Sequence, residues 1–135
     1  MVFDTNVLIS ALITRTAPSA QLYEAWKARR LTLVTSETQL EEFAQVSRSP
    51  QVRRFFKPAE AGRLVNELRS LARVLKKLPS VTVSPDPADD FLFAMTKVGR
   101  ADYLVTGDKA GVLALRKYGK TRIVTARQLI ELLKR

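Results

Sequence analysis

Short apolar stretches alternate with helical ones along the whole chain, and that alternation limits the possible folds more than any other feature. Val2-Phe3-Asp4, Leu31-Thr32-Leu33-Val34, Val81-Thr82-Val83, Tyr103-Leu104-Val105 and Arg122-Ile123-Val124 read as short strands. Between them, apolar residues recur at spacings of three and four, the mark of helices with one buried face. Apolar strands separated by helices in this way belong to a parallel sheet covered on both faces. The expected architecture is a three-layer α/β/α sandwich around a central five-stranded parallel sheet. A length of 135 residues suits one such domain, residues 1–135, with a core that needs no staples.

The helices have their own signals. One begins near Val7, breaks between Thr14 and Pro18, and resumes at Ser19 with Leu22, Tyr23 and Trp26 on one face. Ser36 and Gln39 read as a capping box. The helix they open carries Leu40, Phe43 and Val46 and stops before Pro50. Pro58 opens the clearest helix, whose stripe of Leu64, Leu68, Leu71, Leu75 and Leu78 runs to Pro79. Further helices are expected from Asp89-Asp90 to Gly99, from Asp108 to about Tyr118, and from Ala126 to Leu133.

Composition removes much of chemistry. The chain has no cysteine and no histidine. Disulfides, zinc ribbons, thiol catalysis, Ser-His triads and most transition-metal sites are therefore excluded. Twenty-three basic residues against 13 acids give a net charge of +10, which points to a polyanionic partner, most often nucleic acid. No apolar run approaches the ~20 residues of a membrane span. The opening run lacks the positive start of a signal peptide, so a cytoplasmic protein with no membrane association is expected.

The acids are few, and many fall where strands end or helices begin. Asp4 follows the first strand, and Tyr103-Leu104-Val105-Thr106-Gly107-Asp108 repeats the construction. Ligand sites in parallel α/β sheets form beyond the carboxyl ends of strands. Asp86, Asp89 and Asp90 precede a helix, while Glu41 and Glu42 lie within one. Asp4, Asp89, Asp90 and Asp108 also stand where a helix cap would stand, and periodicity does not separate Glu41 from Glu42. Carboxylates that converged would repel one another when empty. In so basic a chain their natural occupant is a hard cation, Mg²⁺ or Mn²⁺, which prefers oxygen ligands. That is the apparatus of phosphodiester hydrolysis.

Phe3-Asp4-Thr5-Asn6-Val7-Leu8-Ile9-Ser10-Ala11-Leu12 resembles the opening of the PIN-domain ribonucleases, above all the VapC-like toxins of bacterial and archaeal toxin–antitoxin pairs. Ser36 to Pro50 is similar to the family's glutamate-bearing helix, and places its glutamate at Glu42. Asp86-Pro87-Ala88-Asp89-Asp90 resembles the third acidic segment, Ala101 to Asp108 the fourth, and Ile123-Val124-Thr125 the last strand. The resemblance implies a PIN-like domain and a Mg²⁺ or Mn²⁺ site made of Asp4, Glu42, Asp89 and Asp108. Asn6 and Thr106 would support it by hydrogen bonding. Counting back from Ala101-Asp102 favours Asp89 as the third acid, with Asp90 the alternative. The chain begins so close to Asp4 that the first strand is nearly truncated.

The implied activity is metal-dependent endonucleolytic cleavage of RNA, with a cognate antitoxin as protein partner. Arg48 to Lys77 concentrates basic residues, and Arg53, Arg54, Arg73 and Lys76 are the candidates for RNA-backbone contacts. The leucine stripe and an exposed Trp26 face could serve a homodimer. One competing reading is a non-catalytic RNA-binding or adaptor module that keeps the fold without the metal. Another is an aspartyl-nucleophile phosphotransferase, but such enzymes carry a second aspartate where this chain has Asn6.

Overall fold

The computed structural model describes residues 1–14, 16–107 and 110–134. β1 (Val2–Phe3) runs into α1 (Thr5–Ile13), and α2 (Pro18–Lys27) leads to β2 (Val34–Ser36). Next come α3 (Glu37–Ser47), α4 (Pro50–Arg53), α5 (Pro58–Leu71) and β3 (Arg73–Leu75). A 3₁₀ turn, Pro87–Asp89, opens α6 (Asp90–Gly99), which feeds β4 (Tyr103–Val105). The remaining elements are α7 (Ala110–Leu113), β5 (Lys117–Tyr118), β6 (Thr121–Val124) and α8 (Ala126–Leu133).

The strands form one sheet in the order β3-β2-β1-β4-β6-β5. Every neighbouring pair is parallel except β5 with β6. Side chains on a strand alternate between faces, and here the alternation sorts two cores. Phe3, Val105 and Val124 join Leu8, Leu22, Trp26, Phe43, Leu64 and Leu129 on one side. Val2, Val34, Leu104 and Ile123 join Leu92, Phe93, Met95 and Val112 on the other. The expected α/β/α sandwich is present.

The sheet departs from expectation in number and in place. It has six strands where five were expected, because antiparallel β5 adds an edge. β2 begins at Val34, where Leu31 to Val34 was expected. β3 lies at Arg73–Leu75 and not at Val81 to Val83. The leucine stripe misled here. Leu64 and Leu68 are buried from α5, but the helix ends at Leu71 and Ala72 turns extended (φ −92°, ψ 159°). Leu75 is still buried, from a strand that pairs with the outer edge of β2. Pairing satisfies backbone groups on that edge, and this outweighs a helical spacing. At 81–84 the backbone finds another partner, since the Val83 and Ser84 amides donate to Asp90 Oδ1 at 3.1 and 2.8 Å.

Two further expectations fail. The helix expected to reach Tyr118 stops at Leu113, and Arg116 adopts a left-handed conformation (φ 56°) before β5. Trp26 is 3% exposed, so the face suggested for a homodimer lies inside the fold. A glycine is required where α6 meets the sheet. A Cβ on Gly99 would stand 2.9 Å from Val34 Cγ1. Among the described residues, no helix is long and apolar enough to cross a membrane.

Candidate acidic site at the carboxyl end of the sheet

β1 ends at Phe3, and Asp4 leaves the sheet beside β4, its N–H donating to the Val105 carbonyl at 2.8 Å. Its carboxylate is held from two directions. Oδ1 accepts the Asn6 N–H at 3.1 Å, which is the helix-capping bond. Oδ2 accepts the Thr106 hydroxyl at 2.9 Å. Thr106 is itself buried, and its N–H donates to the Val124 carbonyl at 3.0 Å. Asp4 is therefore both a cap and a cross-sheet anchor, at 1% exposure. Asn6 contributes its backbone amide.

α3 sets the second acid. Ser36 caps it by accepting the Gln39 N–H at 3.1 Å. Gln39 does not close the expected capping box. It is buried, donates through Nε2 to the Phe3 carbonyl at 2.6 Å, and accepts the Thr35 hydroxyl at Oε1 at 2.7 Å. These bonds tie the first turn of α3 to the residue before Asp4. Three positions further along, on the same helix face, Glu42 accepts the Thr5 hydroxyl at Oε2 at 2.6 Å. Glu41 is exposed. The pair that periodicity left open is thus separated by a contact with α1.

The third segment is arranged differently. Asp86 caps the 3₁₀ turn by accepting the Ala88 N–H at 3.0 Å. Asp89 stands at the N-cap of α6 but makes no side-chain capping bond to it. Asp90 is occupied with the 81–84 segment through Oδ1. α6 feeds β4 at its amino end, so both aspartates lie toward the carboxyl end of the sheet. Asp108 lies outside the described residues, and among the described residues no three acids gather closely enough to hold a metal ion. What the structure does bring together is Asp4, Glu42, Thr5, Asn6 and Thr106.

The expected RNA-contacting cations scatter. Arg53 and Arg54 are exposed around α4, with Arg54 over the Phe55 ring at 4.9 Å. Arg73 opens β3 and donates to the Gly99 carbonyl at 3.5 Å. Lys76 leaves β3 at its carboxyl end, the end at which Asp4 leaves β1.

The fold and site define an α/β/α sandwich with an acidic, oxygen-only site beyond the ends of its parallel strands. Residues 1–110 match the PIN domain, and the chain belongs to that family. No curated protein and no solved structure matches it. The PIN domain is a nuclease-type fold whose members typically use divalent metals. The donor set fits such an ion, since it offers carboxylate and hydroxyl oxygens in a chain without histidine or cysteine. Thr5 and Gln39 join the site by contacts that the sequence pattern did not single out. Thr5 was visible only as the hydroxyl after Asp4, and Gln39 looked like half of a capping box.

Proposed function

We propose that the chain is a metal-dependent endoribonuclease and the toxin of a toxin–antitoxin pair, with an antitoxin protein as its partner. One observation carries the reading: Thr106 and Thr5 fix two acids, Asp4 and Glu42, at the carboxyl end of a parallel sheet. Asp89 completes the proposed set better than Asp90, whose Oδ1 already accepts two amides. Asp108 is the fourth member on sequence grounds.

When bound, Mg²⁺ or Mn²⁺ supplies positive charge at the scissile phosphate and lowers the pKa of water. The chain's own residues hold and orient. Thr106 and the Asn6 amide fix both oxygens of Asp4, and Thr5 fixes one oxygen of Glu42. The nucleophile in this reading is water. Attack by water breaks the bond from phosphorus to the 3′ oxygen. The products carry a 5′-phosphate and a 3′-hydroxyl, and the ribose 2′-hydroxyl takes no part.

A non-catalytic RNA-binding module that keeps the fold is the second reading, favoured by the chain's basic balance alone. One experiment separates them. Labelled RNA is incubated with the protein in Mg²⁺ or Mn²⁺, and the product ends are determined. Cleavage should stop in chelator and in Asp4→Asn, while that variant still folds. Cleavage that survives chelation, or products with 2′,3′-cyclic phosphates, would refute the mechanism. An inert wild type that holds RNA would favour the binding module.

A further inference from the structure

Residues 109–130 contain six basic residues and no acid. β5, β6 and α8 fold this stretch around an open groove of about 1240 Å³. Arg116, Lys117, Lys120, Arg122 and Arg127 line it, against one carboxylate, Glu131, which faces Lys134 at 3.7 Å. All five cations are exposed, and among the described residues none is paired with a carboxylate. The groove is built from residues beyond the matched stretch 1–110.

One arrangement there favours a bound anion, and another holds a cation at the wall. Lys117 and Arg122 stand directly opposite each other in the β5–β6 pair, and like charges so placed repel. Arg116 adopts φ 56°, a conformation that glycine reaches more cheaply than arginine. Its carbonyl accepts the Ile123 N–H at 2.9 Å, which fixes the arginine at the groove wall.

One end of the groove lies two strands from Asp4. Val124 lines it, and the Val124 carbonyl accepts from Thr106, whose hydroxyl holds Asp4. A strand running from Lys120 and Arg122 to Arg127 would pass from the amino to the carboxyl end of β6, the end at which Asp4 leaves β1. Cations spaced along a trough match an anion of repeating charge better than a single small one.

We propose that the β5–β6–α8 groove holds the phosphodiester backbone of the RNA on one side of the scissile phosphate. The identity of the strand rests on the ribonuclease reading above. Such contacts position the strand and carry no sequence information directly.

The test measures binding of a labelled single-stranded RNA by fluorescence anisotropy across a salt series, using the full chain in chelator so that RNA stays intact. The variant carries Lys117→Gln, Lys120→Gln, Arg122→Gln and Arg127→Gln. Each lost phosphate contact on a single strand should flatten the salt slope by about 0.7, so four should flatten it by about 2.8. If the combined variant unfolds, Lys117→Gln and Arg127→Gln are read singly, each expected to flatten the slope by about 0.7. An unchanged slope in folded variants overturns the groove, even if the wild type cuts RNA. So does a variant that loses only binding to an acidic protein. If the variant binds more weakly as expected but the wild type never cuts RNA in Mg²⁺ or Mn²⁺, the groove stands as an RNA-backbone site and the ribonuclease reading falls.

Discussion

The Thr5 hydroxyl donates to the Glu42 carboxylate at 2.6 Å, joining the first turn of α1 to α3 across 37 residues. Thr5 directly follows Asp4, so this bond also fixes the spacing between the two acids. We expect Thr5→Val to lower RNA cleavage by about 10- to 100-fold, the range for partners that orient ligating groups. Thr5→Ser keeps the donor and should recover most of the activity. The loss should fall on kcat, because the hydroxyl orients Glu42 and does not bind the strand. A drop in KM performance alone, or a valine variant as active as wild type, would remove Thr5 from the positioning role.

Metal binding should be visible in stability as well as in activity. A ligand that binds only the folded state at about 100 times its Kd contributes about 2.7 kcal/mol. The melting temperature should therefore rise by several degrees in Mg²⁺ or Mn²⁺, and Asp4→Asn should lose most of the rise. No shift with either ion, together with no heat by calorimetry, would mean that these acids hold no metal.

Much of the fold was legible because β1, β4, β6 and α8 each begin or end on a local signal. Thr125 caps α8, and the box it forms with Gln128 closes in both directions. The error at Leu71 to Leu75 has a physical cause: a spacing of four also serves a helix end followed by a buried strand residue. Asp4 and Glu42 were legible through the motif around them. Gln39 was not, since its bonds to Phe3 and Thr35 exist only once β1 and β2 lie side by side. The groove cations do not stand out in the sequence, because the 48–77 stretch is richer in them. There Arg69 is spent on Glu37 at 2.8 Å. The sign that could have found the groove was the absence of acids from 109 to 130.

Two glycines should respond to alanine with opposite signs. Gly62 lies within α5, and a Cβ there would meet nothing within 4 Å. Gly62→Ala should stabilise the protein by roughly 0.5–1 kcal/mol, the usual gain for alanine over glycine inside a helix. At Gly99 the added carbon meets buried, stiff Val34 at 2.9 Å. Gly99→Ala should destabilise by about 1–3 kcal/mol, as overpacking does. Urea unfolding of both variants checks the pair, and a stabilised Gly99→Ala would show that α6 does not sit this close to β2.

Stability at alkaline pH depends on the buried side of Tyr23. The Tyr23 hydroxyl donates to Glu67 Oε2, and Lys27 Nζ lies 3.1 Å from Glu67 Oε1. Burial first, and then the bond to the Glu67 carboxylate, push the phenol above its ordinary value near 10. The unfolded chain releases this proton near pH 10, while the folded chain keeps it. Above that pH the native state holds more protons than the unfolded one, so stability falls as pH rises. Below about pH 10 the contribution is complete. Tyr23→Phe removes both the bond and the titration. The variant should be less stable than wild type at pH 8, by about 1 kcal/mol. The gap should narrow at about pH 10.5, where only the wild type loses its phenol contribution. Urea unfolding of both proteins at the two pH values gives the answer, and a gap that stays constant would show that the phenol does not titrate with folding.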